Sequence, residues 1–192
     1  MKVALIFFSV LTSLSLWFAA QETTPVVCRG KPLSIELLEI PGLPMSEPLL
    51  PLRFGGTRRL TLLHIDSENP FRLVIKNRDE LSDFWKRLTA KIRPGRWVPP
   101  LPEIDFSKEM VIAVGVGTKP RLIIIDGACE VDGRVELFVS NIDTSCVPQP
   151  GIVTARADAV RIPKTDLPIV FRETEIGCTQ WFDQLRRWSL YP

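Results

Sequence analysis

The sequence has little of what most often carries catalysis. Among its 192 residues there is one histidine, His64, and it lies within a short apolar run. No GxxxxGK(S/T), GxSxG, HExxH or CxxC pattern occurs, so the common phosphate-binding, hydrolase and metal signatures are absent. A general base needs a nucleophile or an orienting carboxylate, and neither is adjacent to His64 in the sequence. We therefore interpret His64 as a structural strand residue and predict no cofactor.

An excess of charge of either sign is also missing. The 24 basic and 22 acidic residues are well mixed and give a net charge of +2. An extended nucleic-acid surface needs clustered Lys and Arg, so this balance argues against a nucleic-acid partner. Glycine is scarce as well, and 17 prolines against 11 glycines indicate many turns and few long helices.

The longest apolar run is at the start of the chain. Lys2 precedes residues 3–20, which are apolar apart from four serines and threonines. A short basic start followed by such a stretch is typical of a secretory signal peptide. The run is also just long enough to span a bilayer, so an uncleaved N-terminal anchor at residues 3–20 is the alternative. Both interpretations place the rest of the chain outside the cytoplasm, either in the periplasm or secreted.

Beyond this leader, residues 1–20, the chain divides into three parts. Residues 21–51 are rich in proline and predict an extended lead-in that lies along the domain without regular structure. Residues 52–176 carry the strand and helix patterns of a single domain, a size that the length allows. Residues 177–192 form an aromatic tail, in which Thr179 to Leu190 predicts a short helix.

The strongest helix pattern begins at Asn77. Asn77 and Glu80 have the spacing of a capping box. The apolar residues that follow on one helical face are Leu81, Phe84, Trp85, Leu88 and Ile92. Because Pro94 stops the pattern, we predict an amphipathic helix over residues 78–92, with its aromatic stripe in the core.

Apolar runs predict strands at residues 60–65, 71–75 and 110–117. The third run is nearly continuous, which is typical of a central strand that is buried on both faces. Its two glycines favour tight packing or a bulge over a phosphate loop, because no helix pattern follows.

Residues 121–141 predict a β-hairpin with two possible loops. A two-residue turn at Asp132-Gly133 would place Ala128 opposite Leu137. We favour a three-residue loop from Val131 to Gly133, which pairs Cys129 with Val135 and turns Cys129 towards the core.

Four cysteines permit two disulfides in an oxidising compartment, and three pairings are possible. Small residues alternate with polar ones from Val153 to Ala159, which predicts a half-buried strand, and a returning strand begins at Ile169. Cys146 precedes the first strand of this hairpin and Cys178 follows the second, so they would meet at its open end. We therefore favour Cys146–Cys178 and Cys28–Cys129, with free buried cysteines as the alternative. The cysteine spacing does not predict zinc.

Two carboxylates are the candidates for acid–base chemistry. Glu103 and Asp105 alternate in an extended segment, so both would lie on one side of the chain. The competing interpretation is that Asp105 caps the turn before the next strand.

Two blocks of the sequence carry a family resemblance. The first combines Val74–Trp85 with Pro99–Val114, where an Asp-Phe pair precedes a Met-Val strand, and the second is Val160–Phe171. Together they resemble the PrcB C-terminal domain family, named after a subunit of a bacterial protease complex, over about residues 52–175. Residues 117–121 depart from the Gly-Gly-containing, aromatic segment that relatives usually carry. The resemblance implies a non-catalytic extracytoplasmic α+β module that associates with envelope or secreted proteins.

We thus predict an α+β fold in which a mainly antiparallel sheet packs against one amphipathic helix, with a short C-terminal helix added. The predicted function is a non-catalytic binding or accessory module with a protein partner, such as a protease or an envelope protein. The first alternative is a hydrolytic enzyme that uses Glu103 and Asp105. The second is a structural envelope protein that assembles through a sheet edge or its aromatic tail.

Overall fold

A computed structural model describes residues 28–38, 46–51, 57–60, 69–90, 98–117, 121–145, 157–181 and 183. In chain order its elements are β1 (Lys31–Leu33), β2 (Glu36–Leu37), β3 (Ser46–Pro51), β4 (Thr57–Leu60), β5 (Phe71–Ile75), α1 (Arg78–Thr89), β6 (Glu109–Gly115), β7 (Arg121–Val131), β8 (Arg134–Asp143), β9 (Ala157–Pro163) and β10 (Ile169–Ile176). The predicted α+β class is therefore confirmed.

The strands form two four-stranded sheets and a separate ribbon. Sheet A has the order β1-β7-β8-β10, sheet B has the order β2-β9-β6-β5, and β3 pairs with β4. Every pair is antiparallel except β8 with β10, which run parallel. The mainly antiparallel sheet that the sequence predicted is thus divided in two.

The main core lies between sheets A and B. Strand β6 contributes one face to this core. Its residues Met110, Ile112 and Val114 lie in the cluster between the sheets, whereas Val111 and Ala113 lie on the opposite face of sheet B. The prediction that this strand is buried on both faces is confirmed. Strands β7 and β8 complete the cluster with Ile123, Ile125, Ala128, Val135, Leu137 and Val139.

Helix α1 contributes to a second cluster, on the face of sheet B that is turned away from sheet A. Its buried residues Leu81, Phe84 and Trp85 share this cluster with Val111 and Ala113 of β6. Asn77 accepts a hydrogen bond from the backbone N–H of Glu80 at 2.9 Å, as the capping prediction requires. The helix ends at Thr89, three residues earlier than predicted, and Ile92 lies outside the described residues.

The predicted loop of the β7–β8 hairpin is wrong. Val131 pairs with Arg134 across a two-residue turn, and Asp132 and Gly133 both have positive φ, at 48° and 70°. Such a turn suits the twist of a hairpin. Ala128, not Cys129, therefore faces the core, and Cys129 is buried on the opposite face beside Glu136.

A β-bulge restores the inward pattern further along this hairpin. The register shifts between Ile125 and Gly127, so Ile125 pairs with Val139. The extra residue, Asp126, lets Ile125 and Ala128 face the same core although they are an odd number of positions apart.

The predicted hairpin of the last two strands is also wrong. β9 lies in sheet B between β2 and β6, whereas β10 lies in sheet A beside β8. β9 is not half-buried, because Ala159 packs on the α1 side and Val160 on the sheet A side. The polar residues were interpreted as an exposed face opposite the inward small ones, but both faces of sheet B are covered. Val153 and Ala155 lie outside the described residues.

The lead-in holds regular structure that its prolines did not predict. β1 pairs with β7 and β2 with β9, so residues 31–37 add an edge strand to each sheet. Strand β3 tolerates Pro48 because it pairs on one side with β4 and its register shifts between Ser46 and Leu49. Of the predicted strand 60–65, Leu60 ends β4, and the other residues lie outside the described part.

The tail becomes helical at Cys178, one residue before the predicted cap. The backbone N–H of Trp181 donates to the carbonyl of Gly177 at 3.0 Å, which closes the first turn. The predicted continuation to Leu190 lies beyond the described residues and stays a prediction.

Candidate functional site

Asp105, one of the two predicted catalytic carboxylates, organises a turn. Its Oδ1 accepts from the backbone N–H of Ser107 at 3.0 Å and from the Ser107 hydroxyl, and its Oδ2 lies 3.0 Å from the ammonium of Lys108. The Ser107 hydroxyl and then Lys108 lower the pKa of Asp105 to about 2. A carboxylate with that pKa is ionised near neutral pH and cannot serve as a general acid there.

The described residues around Glu103 and Asp105 supply no further candidate for catalysis. Glu103 is exposed, and no group of three or more potential metal ligands occurs among the residues the structure describes. His64 lies outside those residues, so its structural role stays a prediction. The geometry therefore favours the turn-capping interpretation of Asp105.

The disulfide candidates are partly accounted for. Cys28 and Cys129 form a disulfide with a Cα–Cα distance of 5.9 Å, the pairing favoured from the sequence. It fixes the chain ahead of β1 to β7 of sheet A. Cys178 is also disulfide-bonded. Its predicted partner, Cys146, lies outside the described residues, so that pairing stays a prediction.

A buried carboxylate and a partly exposed ion pair join the two sheets. The carboxylate of Asp158, on β9, accepts a hydrogen bond at 2.7 Å from the backbone N–H of Ile125, next to the bulge of β7. Arg72, on β5, makes two hydrogen bonds of 2.7 Å to the carboxylate of Glu173, on β10. The first bond joins the middle of the two sheets and the second joins their edges, so both groups have structural roles.

Two arginines share one carboxylate on sheet A. Glu136 accepts from Arg134 at 2.8 Å and from Arg172 at 2.6 Å. The hydrogen bond from Arg172, followed by that from Arg134, lowers the pKa of Glu136, and Glu136 in turn raises the pKa of Arg172. This arrangement joins β8 to β10 and keeps the Glu136 carboxylate paired with two arginines, which is a structural role.

A cavity in the described part of the chain lies between β5 and α1. It is a cleft of about 280 Å³, and its lining consists of Asn69, Pro70, Phe71, Leu73, Phe84, Arg87 and Leu88. Four of these side chains are large and apolar. Phe71, Leu73 and Leu88 are half-buried, so apolar surface in the cleft remains open to solvent. We call this feature the β5–α1 cleft.

A glycine sets one wall of the cleft. Gly115 of β6 pairs with Phe71, and a Cβ at Gly115 would come within 2.2 Å of the Phe71 ring. The ring can therefore approach the backbone of β6 this closely only because residue 115 has no side chain. Phe71 then meets Phe84 edge-on, with ring centroids 6.1 Å apart. The tight packing predicted for the glycines of this strand is thus confirmed at Gly115.

The cleft adjoins an open strand edge. β5 is the last strand of sheet B and pairs on one side with β6, with no other described strand on its second side. Alternate N–H and C=O groups of an edge strand point away from the sheet and can pair with another chain. Polar main-chain groups and an apolar cleft therefore lie side by side.

Arg87 lies at the rim of the cleft and is exposed. Its Nε is 3.4 Å from the carbonyl of Asp83, and no carboxylate of a described residue pairs with its guanidinium. The nearby Asp83 side chain is paired with Lys86 instead. Within the described part of the chain, the rim of the cleft thus carries a positive charge without a carboxylate partner.

Sequence reasoning did not identify this cleft. Phe84 and Leu88 were assigned to the core stripe of the predicted helix, which is correct for Phe84 but leaves Leu88 half-buried. The helix end carried no sequence signal for it, because Asp83 lies four residues before Arg87, at the spacing of an ion pair.

Comparisons with protein-family models, with curated proteins and with solved structures find no match to this chain. The resemblance to the PrcB C-terminal domain family therefore stays a prediction. In the described parts of the chain, no helix is both long and apolar enough to cross a membrane.

Proposed function

We propose that this chain is a non-catalytic extracytoplasmic module that binds a protein partner through the β5–α1 cleft and the adjoining edge of β5. One observation carries the proposal: half-buried apolar side chains, a strand edge with no described neighbour and an arginine with no described carboxylate partner coincide at one place. Protein interfaces commonly combine an apolar centre with a polar rim of this kind.

Two features support an extracytoplasmic location. The Cys28–Cys129 disulfide is typical of oxidising compartments. The leader at residues 3–20 has the pattern of a signal peptide, with an N-terminal anchor as the alternative. The partner that we propose is an envelope or secreted protein, and the family resemblance favours a component of a protease complex.

The two rival functions have less support. A hydrolase that uses Glu103 and Asp105 would need a proton donor, and the turn holds Asp105 ionised. Envelope assembly through the aromatic tail depends on residues that are largely outside the described part of the chain. Assembly through a sheet edge is tested by the same experiment as the proposal.

The test is photo-crosslinking from two positions. A benzoylphenylalanine in place of Leu88 lies in the cleft, and one in place of Asp132 lies at the tip of the β7–β8 turn. In envelope and secreted fractions of the native host, we expect a crosslinked protein from the first position and not from the second. The same products from both positions, or none from position 88, would contradict the proposal.

Binding is then measured with the purified crosslinked partner. Leu73→Trp fills the cleft, and Val98→Trp adds the same side chain at an exposed apolar position outside it. We expect the dissociation constant to rise about tenfold for Leu73→Trp, which corresponds to roughly 1.4 kcal/mol. Val98→Trp should bind like the wild type. Circular dichroism of both variants separates loss of binding from loss of folding.

A further inference from the structure

We infer that the occupant of the β5–α1 cleft is an extended, acidic peptide segment that adds a strand to β5, inserts one apolar side chain into the cleft and places a carboxylate beside Arg87. This inference rests on the proposed function and names the chemistry of its partner. Three observations carry it: the size of the cleft, the edge of β5 that no described strand covers, and the charge of Arg87, which no described carboxylate pairs.

The size of the cleft favours a side chain over a free small molecule. Sites for small molecules usually enclose about 300–1,000 Å³ and bury most of the ligand. The β5–α1 cleft, at about 280 Å³, is slightly smaller and is open to solvent on one side. A single leucine- or phenylalanine-sized group, anchored by the chain that carries it, fits such a cleft better.

The open edge fixes the conformation of the bound segment. Main-chain groups of β5 that face away from β6 can hydrogen-bond a strand but cannot pair with a helix, whose own groups are bonded internally. Phe71 and Leu73 of β5 both line the cleft, so they alternate towards the same face. A strand added to β5 would therefore direct every second side chain over the cleft.

The positive charge of Arg87 at the rim of the cleft favours an acidic residue in the bound segment. Arg87 is exposed, and its only hydrogen bond within the described residues is the 3.4 Å contact to a backbone carbonyl. A carboxylate two positions from the inserted apolar side chain would lie on the same face of the strand and could pair with this guanidinium. An exposed ion pair is weak, so the apolar side chain and the backbone supply most of the affinity.

The test uses a display library of random linear heptapeptides, selected on the full exported chain and counter-selected on Leu73→Trp. We expect enriched peptides to carry one large apolar residue with Asp or Glu two positions away. In synthetic versions, replacing the acid by its amide should weaken binding about threefold to fivefold. N-methylation at alternate backbone positions should abolish binding, because it removes strand hydrogen bonds.

Charge reversal provides a matched pair of variants. Arg87→Glu should lose the preference for acidic peptides and select basic ones instead. Arg78→Glu, which changes an exposed arginine at the other end of α1, should select the same peptides as the wild type. Thermal unfolding of both variants checks that the fold is intact.

The results separate this inference from the proposed function. Peptides that occupy the cleft without an acidic preference, or that tolerate N-methylation, overturn the strand-and-acid inference and leave the proposed function in place. Failure to enrich any peptide over Leu73→Trp also overturns the inference. The proposed function falls if the crosslink from position 88 is missing or if the same products form from position 132.

Discussion

The carboxylate of Asp158 explains how an irregular strand is accommodated inside the molecule. A bulge in β7 takes backbone groups out of the regular ladder, and a buried N–H without an acceptor is costly. Asp158, which is 2% exposed, accepts the N–H of Ile125 from the opposite sheet. The buried acid is therefore a structural partner of the bulge.

Removing this acceptor should destabilise the fold. We expect Asp158→Ala to lower the free energy of unfolding by about 1–3 kcal/mol, because the N–H of Ile125 loses its acceptor in a buried environment. Asp158→Asn keeps an oxygen at the same place and should lose less. Denaturant unfolding measures both, and equal stability of Asp158→Ala and the wild type would show that another group satisfies Ile125.

The lowered pKa of Asp105 predicts how the stability of the fold depends on pH. Its pKa is lowered from 3.8 to about 2, so its ionised form favours the folded state. The stabilisation is fully present above pH 3.8 and is lost as the pH falls through about 2. Asp105→Ala should therefore unfold at a lower temperature than the wild type near neutral pH, with the difference disappearing in strong acid.

The same pKa can be measured directly. Nuclear magnetic resonance of the side-chain carbonyl should give a midpoint near 2 for Asp105. Ser107→Ala removes the largest cause of the shift and should move the midpoint towards 3.8. A midpoint for the wild type at its ordinary value would contradict the turn geometry.

At the scale of elements, the periodicity of the sequence correctly predicted the helix and strand bounds that depend on neighbouring residues. Strand β5 and the start of α1 were predicted at the observed residues, because a capping box and an apolar period act within a few positions. The end of α1 was predicted three residues too late, at residue 92 instead of Thr89. Helix ends depend on tertiary contacts that the pattern does not contain.

The wrong predictions concern features of the fold that depend on residues distant in the sequence. The β7–β8 loop was chosen to turn Cys129 inward, but the bulge at Asp126 reverses the parity of the strand and places Ala128 there instead. Likewise, the alternation in β9 cannot reveal that a second layer covers its polar face. The cleft was missed for the same reason, since Phe71 and Gly115 are neighbours only across β5 and β6.

The two-residue turn of the β7–β8 hairpin allows a test of backbone strain without any change in side-chain contacts. A Cβ at Gly133 would meet no atom within 4 Å, but φ at this residue is 70°. Gly133→Ala should therefore destabilise the protein by about 1–2 kcal/mol through backbone strain alone. Asp132→Asn should be neutral or slightly stabilising, because asparagine tolerates positive φ well. Urea unfolding that shows no loss for Gly133→Ala would refute the turn assignment.

At the scale of the whole molecule, the disulfide closes a long loop. Cys28 and Cys129 are 101 positions apart, and the bond fastens the short strand β1 to sheet A. Closing a loop of this length restricts the unfolded chain far more than the folded one. The contribution of the bond to stability should therefore be large.

The double variant Cys28→Ser, Cys129→Ser should lower the free energy of unfolding by about 2–4 kcal/mol. Serine substitution is preferable to a reducing agent, because Cys178 is also disulfide-bonded and would be reduced at the same time. Equilibrium unfolding of the two proteins under oxidising conditions measures the difference. A difference near zero would mean that strain in the folded state offsets the loop effect.

The parallel pairing of β10 with β8 has a consequence for how sheet A is completed. The β7–β8 hairpin pairs residues that are close in the sequence, whereas β10 reaches β8 across β9, which belongs to the other sheet. Until β10 docks, the outer edge of β8 has no partner in sheet A and can pair with a second chain. A folding intermediate that lacks this one strand is therefore the form of the protein most open to aggregation.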